Sequence, residues 1–120
     1  MKKPKADNPQ LLELIRILRK AAKENDARIW GSVADALSKP RSRRVSVNLS
    51  RINRHTEKGN VVAVAGKVLG SGMLDHPLTV AAFAFSTIAK KKIKKAKGKC
   101  LSLPELISKN PKGSNVKIVG

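Results

Sequence analysis

A glycine-rich stretch, VAVAGKVLGSGML over residues 62–74, has the composition of a loop that could surround a phosphate with backbone N–H groups. A Walker-type loop needs Ser or Thr directly after its Gly-Lys pair, but Val68 follows Gly66 and Lys67. A dinucleotide-binding fingerprint needs a third glycine, and none follows the Gly-Ser-Gly of residues 70–72 at that spacing. The spacing therefore favours glycines that form turns between short strands.

Residues that catalyse reactions or bind metal ions are few and scattered. The eight acidic residues are spread along the chain, and His55 and His76 have no Cys or His at ligand spacing. The single cysteine, Cys100, lies in the apolar run KCLSL, which favours a buried thiol over a nucleophile. We expect no enzyme activity, no metal ion, no cofactor and no small-molecule substrate.

Charge is the strongest signal in the sequence. Twenty-six Lys and Arg residues stand against eight Asp and Glu, so the 120-residue chain carries a formal net charge of +18. Residues 1–60 and residues 61–120 each carry +9, so the excess is not confined to one tail. Because such a chain repels itself unless a polyanion neutralises it, the composition predicts nucleic acid as the partner.

The kind of nucleic acid follows from the residues that are scarce. Proteins that bind single strands stack bases on aromatic side chains, but this chain has no Tyr, two Phe and one Trp, all in apolar runs. Lysines supply point charges and arginines supply bidentate phosphate contacts, so we expect recognition of folded RNA by charge and shape. The predicted contacts are Arg41, Arg43, Arg44, Arg51 and Arg54, with Lys90, Lys91, Lys92, Lys94 and Lys95.

The elements that must position these side chains begin with two helices. Pro9 suits the first position of a helix, and apolar residues recur at helical spacing over residues 11–22. A second helix is expected after a cap at Asn25 and Asp26, with Trp30 on its apolar stripe as a core residue.

Strands and short helices follow. Alternation over residues 45–49 predicts a half-buried strand, GNVVAVAGKVLG predicts a strand pair or one bent strand, and LTVAAFAF predicts another strand. Ser86 can cap a lysine-rich helix that stops at Gly98. Ser102 and Glu105 form a capping box before a short helix, and VKIV predicts a final strand. This order predicts a mixed α/β fold in which helices precede the strands.

The N-terminal residues and the longest nearly uncharged stretch indicate where the protein is located. MKKPKADNP has no apolar segment after its lysines, and the nearly uncharged residues 59–89 are interrupted by charges, proline and glycines. We therefore expect a cytoplasmic protein without a membrane partner. Residues 1–7 are expected to form a basic flexible arm, and residues 8–120 a single domain.

Six motifs together resemble one family. NPQLLELI, IWGSVADALSKPRSRR, VNLSRINR, GKVLGSGML, LTVAAFAFS and NPKGSNVKIV occur in the order and spacing of the archaeal and eukaryotic large-subunit ribosomal protein family numbered eighteen-e. That family is related to the bacterial large-subunit family numbered fifteen. The resemblance covers roughly residues 8–119, and the short chain is similar to archaeal members.

The resemblance implies a fold, a function and further site residues. It implies an irregular β-β-α superhelical core behind N-terminal helices, and a ribosomal location with large-subunit ribosomal RNA and neighbouring ribosomal proteins as partners. It implies a structural role in assembly and stability of the subunit, without catalysis. It extends the basic segment after the second helix to Lys39, and it assigns Gly66 and Lys67 to a turn whose lysine contacts RNA.

Two other functions are compatible with the charge alone. A DNA-compacting architectural protein would show no preference for structured RNA. A protein that binds anionic membranes would use the lysine-rich helix, although that helix has a thin apolar face and no Trp.

Overall fold

The computed structural model describes residues 9–39 and 45–120, and within these ranges it contains five helices and five strands. The helices are α1 (Pro9–Glu24), α2 (Arg28–Leu37), α3 (Leu49–Arg54), α4 (Thr87–Lys95) and α5 (Leu103–Lys109). The strands are β1 (Val45–Asn48), β2 (Val61–Leu69), β3 (Thr79–Phe85), β4 (Lys99–Ser102) and β5 (Val116–Ile118). The prediction of a mixed α/β fold with N-terminal helices is confirmed.

The five strands form one sheet in which every described pairing is parallel. The strand order is β1-β2-β3-β4, and β5 also pairs with β2. Along β2, β1 pairs with residues 66–69 and β5 with residues 61–63. Both faces of a parallel sheet are usually covered, which explains why β2 and β3 are built from Val, Ala and Phe with few polar residues.

Gly66 lies inside β2 rather than in a turn, so the turn predicted for it is wrong. The register between β2 and β3 shifts between Val64 and Lys67, which makes the segment one irregular strand. A Cβ atom at Gly66 would lie 2.0 Å from the carbonyl oxygen of Val45. Glycine is therefore needed here because the backbone of β1 approaches closely.

Two apolar cores lie on opposite faces of the sheet. Helices α1, α2 and α5 pack on one face, where Trp30 is fully buried and its Nε1 donates a hydrogen bond to the Pro111 carbonyl at 2.8 Å. Helices α3 and α4 pack on the other face against Val62, Val64 and Val80. The prediction that Trp30 is a core residue is confirmed.

Two helix starts differ from the predictions. Helix α2 begins at Arg28 after an Ala27 N-cap that makes no side-chain hydrogen bond, so the predicted cap at Asn25 and Asp26 is wrong. Asp26 instead has a φ of 50°, a left-handed conformation that Asp tolerates. Leu49 does not continue β1, because it begins α3, which buries Leu49 and Ile52.

The two N-cap predictions in the C-terminal half, at Ser86 and Ser102, are confirmed. The Ser86 hydroxyl accepts a hydrogen bond from the Ala89 N–H, and Ser102 and Glu105 form both hydrogen bonds of a capping box. The helix stop is one residue earlier than predicted, because Lys97 rather than Gly98 has the left-handed conformation, with a φ of 66°. Gly98 is needed for another reason, since a Cβ atom there would lie 2.5 Å from the Leu78 carbonyl oxygen.

Candidate nucleic-acid interface

Helix α4 presents the densest positive charge of the described structure. Ala89 and Ile93 are fully buried against the sheet and fix the orientation of the helix. The lysine side chains of α4 that this orientation leaves exposed are Lys90, Lys91, Lys94 and Lys95. No acidic residue occurs between residues 76 and 104, so the positive field of this helix is not compensated within its own segment.

Lys92 differs from the other predicted contacts on α4. Its Nζ donates hydrogen bonds to the carbonyl oxygens of Gly70 and Gly72, at 2.7 and 2.8 Å, and the side chain is half-buried. These bonds tie α4 to the loop between β2 and β3. The geometry therefore gives Lys92 a structural role, whether or not it also contacts RNA.

Helix α3 brings two of the predicted arginines to the same face of the sheet as α4. Arg51 and Arg54 are exposed, and Nη2 of Arg51 donates a hydrogen bond to the Gly120 carbonyl at 2.9 Å. A concavity of about 450 Å³ is lined here by Arg51, His55, Lys117 and residues 118–120. Three nitrogen-bearing side chains thus converge on one depression.

A hydrogen-bonded chain holds the end of α3 to the β2–β3 loop. The buried Thr56 hydroxyl donates to the Ile52 carbonyl at 2.7 Å and lies 2.8 Å from Nε2 of His76. Nδ1 of His76 lies 2.8 Å from Oδ1 of Asp75, whose pKa is lowered first by this hydrogen bond and then by one from Asn53. These hydrogen bonds orient α3, and with it the arginines that α3 presents.

Lys67 lies apart from these groups. It is exposed on β2 next to Val68, whose side chain packs into the core beneath α3 and α4. Since neighbouring side chains in a strand point to opposite faces, Lys67 lies on the other face of the sheet. Lys39 is exposed just after α2, and the predicted contacts Arg41, Arg43 and Arg44, like the arm over residues 1–7, lie outside the described residues.

A groove runs between α4 and the edge strand β4. One part, with a volume of about 590 Å³, is lined by Thr87, Lys90, Lys91, Lys94, Gly98, Lys99, Cys100 and Leu101. An adjoining depression of about 270 Å³ shares Lys90, Cys100 and Leu101 and is also lined by residues 82–85, Ser102 and Glu105. We call these two parts together the α4–β4 groove.

Cys100 is half-buried in this groove. Burial raises the pKa of its thiol above the usual range, although the positive charges of Lys90 and Lys94 oppose the shift. A thiol with a raised pKa is a poor nucleophile, which fits the interpretation of Cys100 as an apolar residue.

The described ranges lack both a metal-ligand cluster and a membrane-spanning helix. Within residues 9–39 and 45–120, no group of three or more His, Cys, Asp or Glu side chains is arranged to hold a metal ion. None of the helices in that part of the chain is both long enough and apolar enough to cross a membrane.

Comparison with known proteins places the sequence in one family. All of residues 1–120 match the family described as ribosomal protein 60S L18 and 50S L18e. The chain belongs to this family. The resemblance found in the six sequence motifs is therefore confirmed.

Curated relatives of the family agree closely in length with this chain. The large ribosomal subunit protein eL18 of Methanospirillum hungatei is 47% identical over 112 residues, which is 93% of each chain. The protein of the same name from Methanococcus maripaludis is 48% identical over 119 residues, or 99% of each chain. These archaeal proteins are named as ribosomal proteins and not as enzymes, which agrees with the expectation of no catalysis.

The RNA contacts predicted from the sequence did not include several basic residues that lie near the candidate interface. Lys97 and Lys99 continue the lysine run, and Lys99 lines the α4–β4 groove. His55 and Lys117 lie with Arg51 around the smaller concavity. The lysine run itself was a signal for the first pair. Nothing in the sequence links Lys117 to Arg51, because parallel pairing of β5 with β2 brings distant segments together.

Proposed function

We propose that this chain is a structural constituent of the large ribosomal subunit that binds folded ribosomal RNA through lysine and arginine contacts to phosphates. It supports assembly and stability of the subunit beside neighbouring ribosomal proteins, and it acts without a cofactor. The proposal rests on family membership and on one observation, the exposed lysines of α4 within a segment that has no acidic residue.

The proposed contacts fall into two groups. The main surface lies on the α3–α4 face and consists of Arg51, Arg54, Lys90, Lys91, Lys94 and Lys95, with Lys92 fixing the loop beside them. The second group is Lys39, Arg41, Arg43, Arg44 and Lys67. Of this second group, Lys67 lies on the face of the sheet opposite α3 and α4. Cations on both faces suit a protein that is enclosed by RNA rather than one that lies along a single duplex.

Sedimentation tests the ribosomal location. We expect the tagged protein, expressed in an archaeal host, to sediment with the large subunit on a sucrose gradient and to remain there after a wash at moderately high salt. Recovery with chromosomal DNA, or at the top of the gradient, would contradict the proposal and favour the DNA-compacting alternative.

A matched pair of variants tests the surface. One variant replaces Lys90, Lys91, Lys94 and Lys95 with Gln. The control replaces four exposed cations elsewhere with Gln, namely Lys20, Lys23, Arg28 and Lys109. Both variants lose the same charge, so any difference between them reports where the RNA lies and not how much charge is present.

The measurement is affinity for large-subunit ribosomal RNA transcript as a function of salt. We expect the slope of log affinity against log salt to fall by about one for each α4 lysine that contacts a phosphate, and much less in the control. Equal losses in the two variants would show that α4 has no special role. Circular dichroism at the same temperature checks that both variants are folded.

A further inference from the structure

The α4–β4 groove has a chemical character that differs from the rest of the basic surface. Lys90, Lys91 and Lys94 form one wall, and the edge strand β4 forms the other. The lower surface between them includes Cys100, which lines both parts of the groove and packs against the core under α3 and α4. A surface that only contacted phosphates would not need an apolar floor.

One aromatic ring lies at one end of this floor. Phe83 and Phe85 are half-buried and line the depression that adjoins the lysine wall. Phe85 and Cys100 both pack against the core under α3 and α4, whereas Phe83 packs against the opposite core. The sequence placed both phenylalanines in an apolar run and gave no reason to expect them beside lysines. The fold brings one aromatic ring to the same side of β3 as the lysine wall.

We propose that the α4–β4 groove holds unstacked nucleotides of a single-stranded RNA segment, with a base against Phe85 and Cys100 and the flanking phosphates on Lys90 and Lys94. This proposal rests on the RNA-binding function proposed above and specifies the form of RNA that one part of the surface takes.

The geometry favours a single strand over the other polyanions. Paired bases in a duplex are stacked inside the helix, so a duplex could offer the lysines its phosphates but could not place a base on the floor. Lys90 and Lys94 are one helical turn apart, a spacing that suits successive phosphates along a strand. The one acidic residue of the groove, Glu105, lies in the adjoining depression and is held by the N–H of Ser102 at 3.0 Å.

The only cysteine of the chain provides a direct probe, because Cys100 lies in the floor. The experiment measures the rate at which iodoacetamide alkylates the full-length protein, by mass spectrometry at low salt. Three ligands are compared at concentrations that saturate their binding by fluorescence anisotropy: a ten-nucleotide oligouridine, a ten-base-pair RNA duplex and a decaglutamate peptide. The duplex and the peptide control for the effect of anions on thiol ionisation.

We expect oligouridine to slow alkylation about tenfold, and the duplex and the peptide to slow it less than twofold. Oligouridine that fails to bind, or that binds without protecting Cys100 beyond the duplex, would overturn the groove proposal. Ribosomal function would then still be judged by sedimentation of the protein with the large subunit. Equal protection by decaglutamate would also overturn it, and would assign the groove to an acidic protein segment.

A pair of substitutions tests the aromatic contact independently of Cys100. Phe85→Leu keeps an apolar side chain but removes the ring, and we expect it to weaken oligouridine binding about fivefold or more. Phe83→Leu is the matched control, since that ring packs toward the other core, and we expect less than a twofold change. Unequal melting temperatures would be handled by measuring at a temperature where both variants are folded. Equal affinities of Phe85→Leu and the unmodified chain would contradict base contact with Phe85.

Discussion

The α1–α2 pair and the α4–β4 side of the molecule are both rich in cations but hold them differently. Residues 9–39 contain six basic and four acidic residues, and residues 76–104 contain seven lysines and no acidic residue. In the first region Glu13 lies 2.6 Å from Arg16, and Asp35 lies 3.4 Å from Arg19. The first region therefore balances most of its charge, whereas the second leaves its charge uncompensated.

The two regions also differ in how many apolar side chains their helices bury. Helix α1 buries five apolar residues, whereas α4 buries Ala89 and Ile93. Burial of apolar side chains is the main source of folding stability. The excess of basic residues is the same in the two halves of the sequence, but the two regions of the fold differ. The α1–α2 region stabilises the fold, and the α4–β4 region is suited to binding.

The largest expected effect is the loss of a core contact in the α1–α2 region. Leu18 is fully buried, so Leu18→Ala should lower the free energy of unfolding by about 2–5 kcal/mol. Leu12→Ala, at a position that is 42% exposed, is the control and should change it by less than about 0.5 kcal/mol. Urea denaturation measures both. Similar losses would show that α1 is not held by its buried face.

A second prediction separates Lys92 from its neighbours on α4. Lys92→Met removes two hydrogen bonds from a charged donor and leaves the Gly70 and Gly72 carbonyls without them, which should cost about 1–2 kcal/mol. Lys91→Met, at an exposed position one residue away, should cost almost nothing. Equal unfolding free energies of the two variants would contradict the structural role of Lys92.

A third prediction is that substitution of the exposed lysines of α4 raises stability instead of lowering it. Replacing Lys90, Lys91, Lys94 and Lys95 with Gln removes like-charge pairs three and four residues apart, so the free protein should gain about 1 kcal/mol in stability. The gain should shrink as salt is added, because salt screens exposed charges. Thermal melts at low and high salt check this. A loss of stability at low salt would show that these lysines stabilise the free fold.

A fourth prediction concerns the end of α4. Lys97 has a left-handed backbone, with a φ of 66°, which glycine adopts without strain. Lys97→Gly should therefore raise the free energy of unfolding by about 0.5 kcal/mol after the entropy of the extra glycine is counted. Asn115→Gly is the control, since Asn tolerates its φ of 61° better than Lys does. An equal gain in both variants would contradict this assignment of strain.

The smallest effect is a pH dependence at Asp75. Hydrogen bonds from His76 and Asn53 lower the pKa of this carboxyl below its ordinary value of 3.8. A lowered pKa in the folded state means that the contribution to stability is present above that ordinary value and is lost as pH falls through the lowered one. Asp75→Asn should therefore be less stable than the unmodified chain at neutral pH, and this difference should shrink below about pH 3.8. A difference that stays constant from neutral to acid pH would contradict the assignment.

Local signals predicted the fold best where a few neighbouring residues decide the structure. The Ser86 cap and the capping box of Ser102 and Glu105 were predicted correctly, because each depends on side chains within three residues. Helix α3 was missed because six residues are too short for a periodic pattern, and Leu49 continues the alternation of β1. The cap at Asn25 and Asp26 was wrong because suitable residue types do not show which one has the required backbone conformation.

The candidate interface was predicted in composition but not in arrangement. The sequence identified the lysine run and the arginines of RINR, yet it could not show that Lys92 is bound to two loop carbonyls. It also could not show that Lys67 faces away from α4, because the facing of a residue after a register shift depends on the partner strand. The role of RNA contact for these residues stays a prediction.

By itself the sequence determined the charge, the order of the elements other than α3 and membership of the family, since these depend on residue types and short-range spacing. Only the tertiary structure decided that Gly66 makes room for β1 and that Phe85 lies beside the lysine wall. It also decided that Arg51, His55 and Lys117 converge on one concavity. The physical reason is that parallel pairing joins strands that are distant along the chain, so the contacts between them leave no local pattern in the sequence.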